Sequence, residues 1–325
     1  MKTPKQLGYS TPPEWASVEA IWLSWPVEPN LWKQIPREEV EAAFSSLVAS
    51  IARFAEVRLC VAPTEAERVS EQLGENAEIF AIETDDVWCR DHGPTFLINQ
   101  ESADVAFVDW NYNGWGGKFP CEKDALAAQV IGEAEGALAF SSKLTCEGGA
   151  IEGDGAGRVL TTESVLLNPN RNPDWTKEQV TSELCEMLGA EEVIWLSAGL
   201  DNDDTDGHID MVARFVGPGK VLAVEPSNEG LRENVRRMEA AGLEVGYLPT
   251  VGEFSTGVDG SYANFLIVND GVIVPQYGLP QDEQALLILQ EAFSEKEIIP
   301  QDCRIIGLEG GGVHCLTQGL FRSMG

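Results

Sequence analysis

The chain has 325 residues, and its 53 acidic side chains against 22 basic ones give a formal charge of −31. That charge argues against a phosphate-backbone partner and against an anionic membrane surface, so neither nucleic acid nor membrane is expected as a partner. An apolar share of 43% is ordinary for a folded protein and excludes a wholly disordered chain.

The first residues, MKTPKQLGYSTPPEW, carry lysines but no apolar core, so they do not read as a signal peptide. No stretch reaches the roughly 18 to 20 apolar residues of a membrane span. The seven cysteines form no C-x-x-C pair, which argues against a zinc ribbon or a disulfide framework. A cytoplasmic protein with reduced thiols is the expectation. Helical periodicity marks 37–54, 64–73, 122–131, 176–188, 228–241 and 281–293. Thr64 and either Asp174 or Thr176 are candidate N-caps. Between the helices lie short apolar runs that read as strands: VRLCVA, PTFLIN, VAFVDW, RVLTTESVLL, IDMVARFV, KVLAVE, NFLIVN and GVIVPQ.

The strands recur in a unit in which a Gly- or Asp-rich polar motif runs into a strand, turns, and returns as a second strand. Gly-Asp-Gly, Gly-Pro-Gly and Asn-Asp-Gly supply three of the turns. The marker residues Asp91, Glu147, His208, Asn264 and Cys315 stand 51 to 61 residues apart, a period that suggests a propeller-like array. The fifth unit stops at the C-terminus without a return strand, and the N-terminal run VEAIWLSWP could supply it. These features predict a single α/β domain over residues 1–325, with five blades around a central site. The alternative is an ordinary α/β sheet with chance spacing.

Chemistry-bearing residues gather at the starts of the units, where loops on a rigid scaffold carry function. Cys315 follows Gly310-Gly311-Gly312, and glycines permit close approach of backbone or ligand. It is a candidate nucleophile, or else a buried small hydrophobe. His314 would point away from it on a strand. In Asp203-Asp204-Thr205-Asp206-Gly207-His208-Ile209-Asp210, a strand would put His208 and Asp210 on one face as an acid/base beside a carboxylate. A metal site and a solvated acidic turn are the alternatives. Asp91 and Trp88 pair a carboxylate with an aromatic face, which suits a planar cation. Cys89 beside them is a rival nucleophile without the glycine setting. Glu147-Gly148-Gly149, the Trp110–Lys118 stretch with Trp115, and Asn264 are weaker signals. A cysteine, a histidine and several acids suit attack on the carbon of a cation such as a guanidinium better than attack on a carbonyl.

The motifs DDVWCRDHGPTF, DWNYNGWGGK, EGGAIEGDG, DDTDGHIDMVARF, SYANFLIVNDGVIVPQYG and GGGVHCLTQ, in this order, resemble the agmatine deiminase and bacterial-type peptidyl-arginine deiminase family of the guanidine-modifying (pentein) superfamily. The resemblance covers nearly the whole chain and implies a five-bladed α/β propeller. It implies Cys315 as nucleophile, His208 as general acid/base, and Asp91 and Asp210 as a guanidinium clamp. Trp88, Trp115, Glu147 and Asn264 would line the pocket, and Asp204 would serve a distal amine. No metal or organic cofactor is implied. The implied reaction is agmatine plus water to N-carbamoylputrescine plus ammonia, toward putrescine. The alternatives are a peptidyl-arginine deiminase and a non-catalytic acidic propeller that binds a metal or a polyamine. A homo-oligomer is compatible with the sequence. The chain departs from the family at His92, and at Gly319-Leu320-Phe321, where other members carry Gln and Pro.

Overall fold

Residues 2–26, 32–255 and 257–321 are described in a computed structural model. Five sheets repeat one pattern: an antiparallel pair, a helix, and a third strand parallel to the second. In the first, Thr95–Asn99 pairs with Val105–Asp109, helix Asp124–Ala134 crosses over, and Leu138–Ser141 adds in parallel. Tyr9–Ser10 pairs antiparallel with the end of Thr95–Asn99. Glu152–Gly153, Arg158–Thr162, helix Lys177–Leu188 and Glu192–Leu196 form the second. Ala213–Gly217, Lys220–Val224, helix Glu229–Ala240 and Glu244–Leu248 form the third. Leu266–Val268, Gly271–Gln276, helix Asp282–Ala292 and Glu297–Asp302 form the fourth.

The fifth sheet uses both ends of the described chain. Gln318–Phe321 pairs antiparallel with Val18–Ser24, and helix Arg37–Ala52 then leads to Glu56–Cys60. Gln318–Phe321 also adjoins Thr95–Asn99 of the first sheet. The return strand expected from VEAIWLSWP is therefore present, and the architecture is the five-bladed α/β propeller. Each helix covers its sheet with one apolar face. In the helix over residues 37–52, Val40, Phe44, Leu47, Val48 and Ile51 are buried at helical spacing.

All six helices stand within a few residues of their expected bounds. Thr176 caps its helix through Gln179 in a capping box, whereas Thr64 caps nothing, because Glu65 stands at the next N-cap. Two strand readings fail locally. RVLTTESVLL breaks after Thr162 into a helical turn at Glu163–Leu166. Ile209–Met211 is a 3-10 turn, so the strand begins only at Ala213. The third strand of four blades, the strand Glu78–Phe80, and a hairpin of Thr250–Ser255 with Val258–Ser261 are additional to the sequence reading.

Candidate active site

Each blade's first strand is preceded by a tight turn, and the turns deliver the marker residues to one place. Asp91 lies in the helical turn Cys89–His92, Glu147 directly precedes the turn Gly148–Ala150, and His208 and Asp210 flank and enter the turn Ile209–Met211. Asn264 and Cys315 precede the first strands of the last two blades. The turns bond to one another. Arg90 N donates to Cys315 O at 3.1 Å, His314 N to Asn264 O at 3.2 Å, and Gly149 N to Asp91 Oδ1 at 3.0 Å.

The glycines are there for clearance. A Cβ on Gly311 would lie 2.2 Å from the Trp88 ring, and one on Gly312 would lie 2.7 Å from Asn264 Oδ1. A Cβ on Gly149 would meet His208 Nδ1 at 2.6 Å, Asp91 Oδ1 at 2.7 Å and Asp210 Oδ2 at 3.2 Å. The glycine runs that marked Cys315 and Glu147 in the sequence thus let aromatic and acidic side chains reach the backbone.

Cys315 Sγ accepts from Asn264 Nδ2 at 3.0 Å and lies 3.5 Å from Asp210 Oδ2. Burial, then Asp210 and Asp91, push its thiol well above the ordinary cysteine range. His208 is fully buried, with Nδ1 3.6 Å from Asp91 Oδ1 and Nε2 3.6 Å from Glu147 Oε2. Burial disfavours its charged form, but Asp91, Glu147 and Asp210 outweigh that and raise its pKa to about 9. His208 is therefore an imidazolium at neutral pH. Asp91 itself is raised, chiefly by burial and against the pull of His208.

Asp91 accepts from Trp115 Nε1 at 3.0 Å. Trp115 takes a left-handed backbone (φ 52°, ψ 47°), which costs about 1–3 kcal/mol in a non-glycine residue and here aims the indole at that carboxylate. Asp210 Oδ2 bonds His314 Nδ1 at 2.7 Å, while its buried Oδ1 has no partner. His314 reaches Glu14 on its other side at 3.5 Å, so its place is behind Asp210 rather than beside the thiol. His208 and Asp210 share the site although they do not lie on a strand; the 3-10 turn brings them together.

Trp88, Asp91, Trp115, Asp204 and Cys315 line a pocket of about 200 Å³. Glu147, His208, Asp210 and Asn264 are buried and outside that lining, and reach Asp91, Cys315 or one another within 3.6 Å. Asp204 is exposed at the mouth. Asp86, Asp203 and Glu309 also line it and were not singled out in the sequence. The first two sit inside the acidic motifs and Glu309 directly precedes the glycine run, so position was an available signal. Asp86 is pushed to about 7, mostly by burial. Among the described residues this lining has five acids and no lysine or arginine.

The sequence also leaves open a metal site at the Asp203–Asp210 segment. Among the described residues, the His/carboxylate group with ligand-like spacing is Glu14, Glu152 and His314, not that segment. Its two carboxylates are already met by Arg90 and Arg214, each at 2.8 Å. Cys89 is buried under the Trp88 turn and does not line the pocket. His92 is also buried, 3.2 Å from Ser24 Oγ and 3.5 Å from Asp124. Gly319-Leu320-Phe321 form strand, with Leu320 in the core, and none of the three lines the pocket.

Residues 10–320 match the profile of the Porphyromonas-type peptidyl-arginine deiminase family. The chain belongs to this family. A curated relative, the agmatine deiminase of Ectopseudomonas mendocina, is 36% identical over 97% of this chain and 96% of its own. The solved agmatine deiminase of Enterococcus faecalis superposes with a TM-score of 0.91 at 33% identity, covering 100% of this chain and 99% of that one. A cysteine-to-serine variant of C. jejuni agmatine deiminase with substrate bound gives 0.89 at 28% identity, covering 98% and 97%. No helix among the described residues is long and apolar enough to cross a membrane.

Proposed function

We propose that the protein hydrolyses the guanidinium group of agmatine through a covalent amidino-cysteine intermediate, releasing ammonia and N-carbamoylputrescine. The observation that carries this reading is the buried cluster of Cys315, His208 and the carboxylates of Asp91, Glu147 and Asp210, of which Cys315 and Asp91 line the pocket. The identity to full-length agmatine deiminases supports it.

The roles follow from charge. A guanidinium entering the pocket pairs with Asp91 and with the partnerless Oδ1 of Asp210. Its positive charge offsets Asp210 and Asp91, which together with burial hold the thiol protonated, so on binding the thiol proton passes to solvent and the cysteine becomes a nucleophilic thiolate only when substrate is present. Asn264 donates to the sulfur and stabilises the thiolate. Sulfur attacks the guanidinium carbon, His208 gives its proton to the departing nitrogen, and ammonia leaves. The neutral imidazole then takes a proton from water, the resulting hydroxide adds to the same carbon, and the C–S bond breaks as the hydroxyl proton passes to the leaving sulfur and restores the thiol. Across the cycle, a guanidinium and one water become a urea and one ammonium ion. The acid-lined mouth suits the second ammonium of agmatine and opposes the α-carboxylate of free arginine.

The test is ammonia release from agmatine, free arginine and an arginine peptide, for wild type and Cys315→Ser. Turnover of agmatine should exceed that of free arginine at least about tenfold, the equivalent of ~1.4 kcal/mol for a misplaced like charge. C315S should bind agmatine and release nothing. Ammonia from none of the three substrates, or undiminished release by C315S, sinks the reading.

A further inference from the structure

Arg171 lies outside every motif that marks the site, in the loop Asn168-Pro169-Asn170-Arg171-Asn172, yet its side chain has no exposure. The loop is fixed to the blade that carries Glu147. Asn172 Oδ1 accepts from Thr145 N at 3.0 Å, and its Nδ2 donates to Thr145 O at 2.9 Å, two residues before Glu147. From this base the guanidinium reaches two walls of the pocket. Nε donates to Glu147 Oε1 at 2.8 Å, which leaves Glu147 Oε2 free toward His208. NH1 and NH2 donate to Asp206 Oδ2 at 2.5 Å and to Thr205 O at 3.0 Å. Asp206 holds a left-handed backbone (φ 69°), and Lys118 ties it to the Trp115 loop at 2.7 Å. A Cβ on Gly116 in that loop would lie 2.8 Å from Arg171 NH1.

We propose that Arg171 is a positioning residue: one fork holds Glu147 against His208 and at the same time holds the Thr205–Asp206 turn that walls the pocket mouth. The inference rests on the deimination reading above. A buried carboxylate that loses its arginine partner takes up a proton or turns away. The groups that face His208 are Asp91, Glu147, Asp203 and Asp210, and those that face Glu147 are His208, Arg171, Asp91, the Cys146 thiol and Tyr112. Of these, Arg171 alone is a fixed cation, so it sets how strongly Glu147 supports the imidazolium. A lysine would keep the charge but could not span both walls.

The experiment follows ammonia release from agmatine between pH 6 and 10 with the full chain, alongside thermal melts. Turnover by wild type tests the deimination reading itself; without it that reading fails and this inference with it. Given an active wild type, Arg171→Gln should lower kcat about 10- to 100-fold, the usual scale for a lost supporting partner. It should also move the alkaline limb of kcat down by about one pH unit, since His208 loses the field of one carboxylate. R171K should retain the limb and still lose kcat. Asp206→Asn frees only the mouth and should raise KM several-fold with the limb unmoved. A folded R171Q with wild-type kcat overturns the proposal, as does one whose melting point falls while the limb stays in place. Should R171Q not fold, wild-type kcat in R171K together with wild-type KM in D206N overturns it.

Discussion

Gly149→Ala adds one methyl group at the point where three site residues meet. The new Cβ would stand 2.6 Å from His208 Nδ1 and 2.7 Å from Asp91 Oδ1, where ordinary contact begins near 3.4 Å. The carboxylate and the ring must therefore yield by roughly 0.7 to 0.8 Å, or the Glu147–Ile151 turn must shift by as much. Gly149 also donates its N–H to Asp91 at 3.0 Å, so a shift of the turn loosens that carboxylate as well. A displacement approaching 1 Å between reacting groups costs about 100-fold, so kcat/KM on agmatine should fall ~30- to 100-fold. Overpacking should cost about 1–3 kcal/mol of stability, leaving a folded enzyme whose melting point is measurably lower. Gly217→Ala is the control, since its Cβ meets nothing within 4 Å. Steady-state kinetics on both variants with matched melts decides the matter. Wild-type kcat/KM in G149A would show that Asp91 and His208 do not act from these positions.

Asp210→Asn should lower kcat/KM by about two to four decades, from the 3–5 kcal/mol lost when a buried cation loses a charged partner. The same variant should alkylate Cys315 faster with iodoacetamide, read by mass spectrometry, because Asp210 raises that thiol; slower labelling would contradict the electrostatics. The folded protein holds the His208 proton to about pH 9, above its ordinary 6.5. Its contribution of about 3 kcal/mol is therefore full below pH 6.5 and lost as pH rises through 9, and a urea-midpoint difference between wild type and His208→Asn that stays constant from pH 6 to 10 would refute this. Asp204→Asn, at an exposed carboxylate, should raise KM for agmatine only about two- to fivefold, and kcat should not move.

The five-blade architecture was legible because each blade repeats a polar turn followed by an apolar antiparallel pair, and the turn residues are chemically unusual. Two of the third strands escaped notice for an equally physical reason, whereas Glu192–Leu196, with Ile194, Trp195 and Leu196 buried, does carry an apolar run. Leu138–Ser141 is mostly exposed and Glu244–Leu248 half so, and such edge strands lack the continuous apolar run that betrays a buried one. Cys315, His208, Asp91 and Asp210 could be named from residue type and spacing, but their geometry could not. A strand would have set His208 and Asp210 side by side; the 3-10 turn at Ile209–Met211 does so by a different route. His314 could be judged a poor partner for the thiol from its neighbouring position, but its bond to Asp210 required the fold. Arg171 left no sequence trace, since its importance comes from contacts made 24 and 35 residues away in the chain.

The sequence charge of −31 and the five acids of the pocket act on different scales. Exposed carboxylates are screened within about 10 Å at moderate salt, so the total charge says little to a bound ligand. Burial, with Asp210 and the pocket-lining Asp91 close by, holds Cys315 as a thiol. An arrangement that suppresses its own nucleophile makes sense when the missing charge arrives with the substrate. A neutral amide brings no cation, leaves the thiol protonated and finds no partner for Asp91 or Asp210. A guanidinium supplies the charge, the planar donors and the carbon to be attacked in one group. In the proposed reaction, selectivity for a cation and activation of Cys315 are the same electrostatic event, and Asp91 and Asp210, which raise the thiol of the empty protein, are the acids that would pair with the substrate.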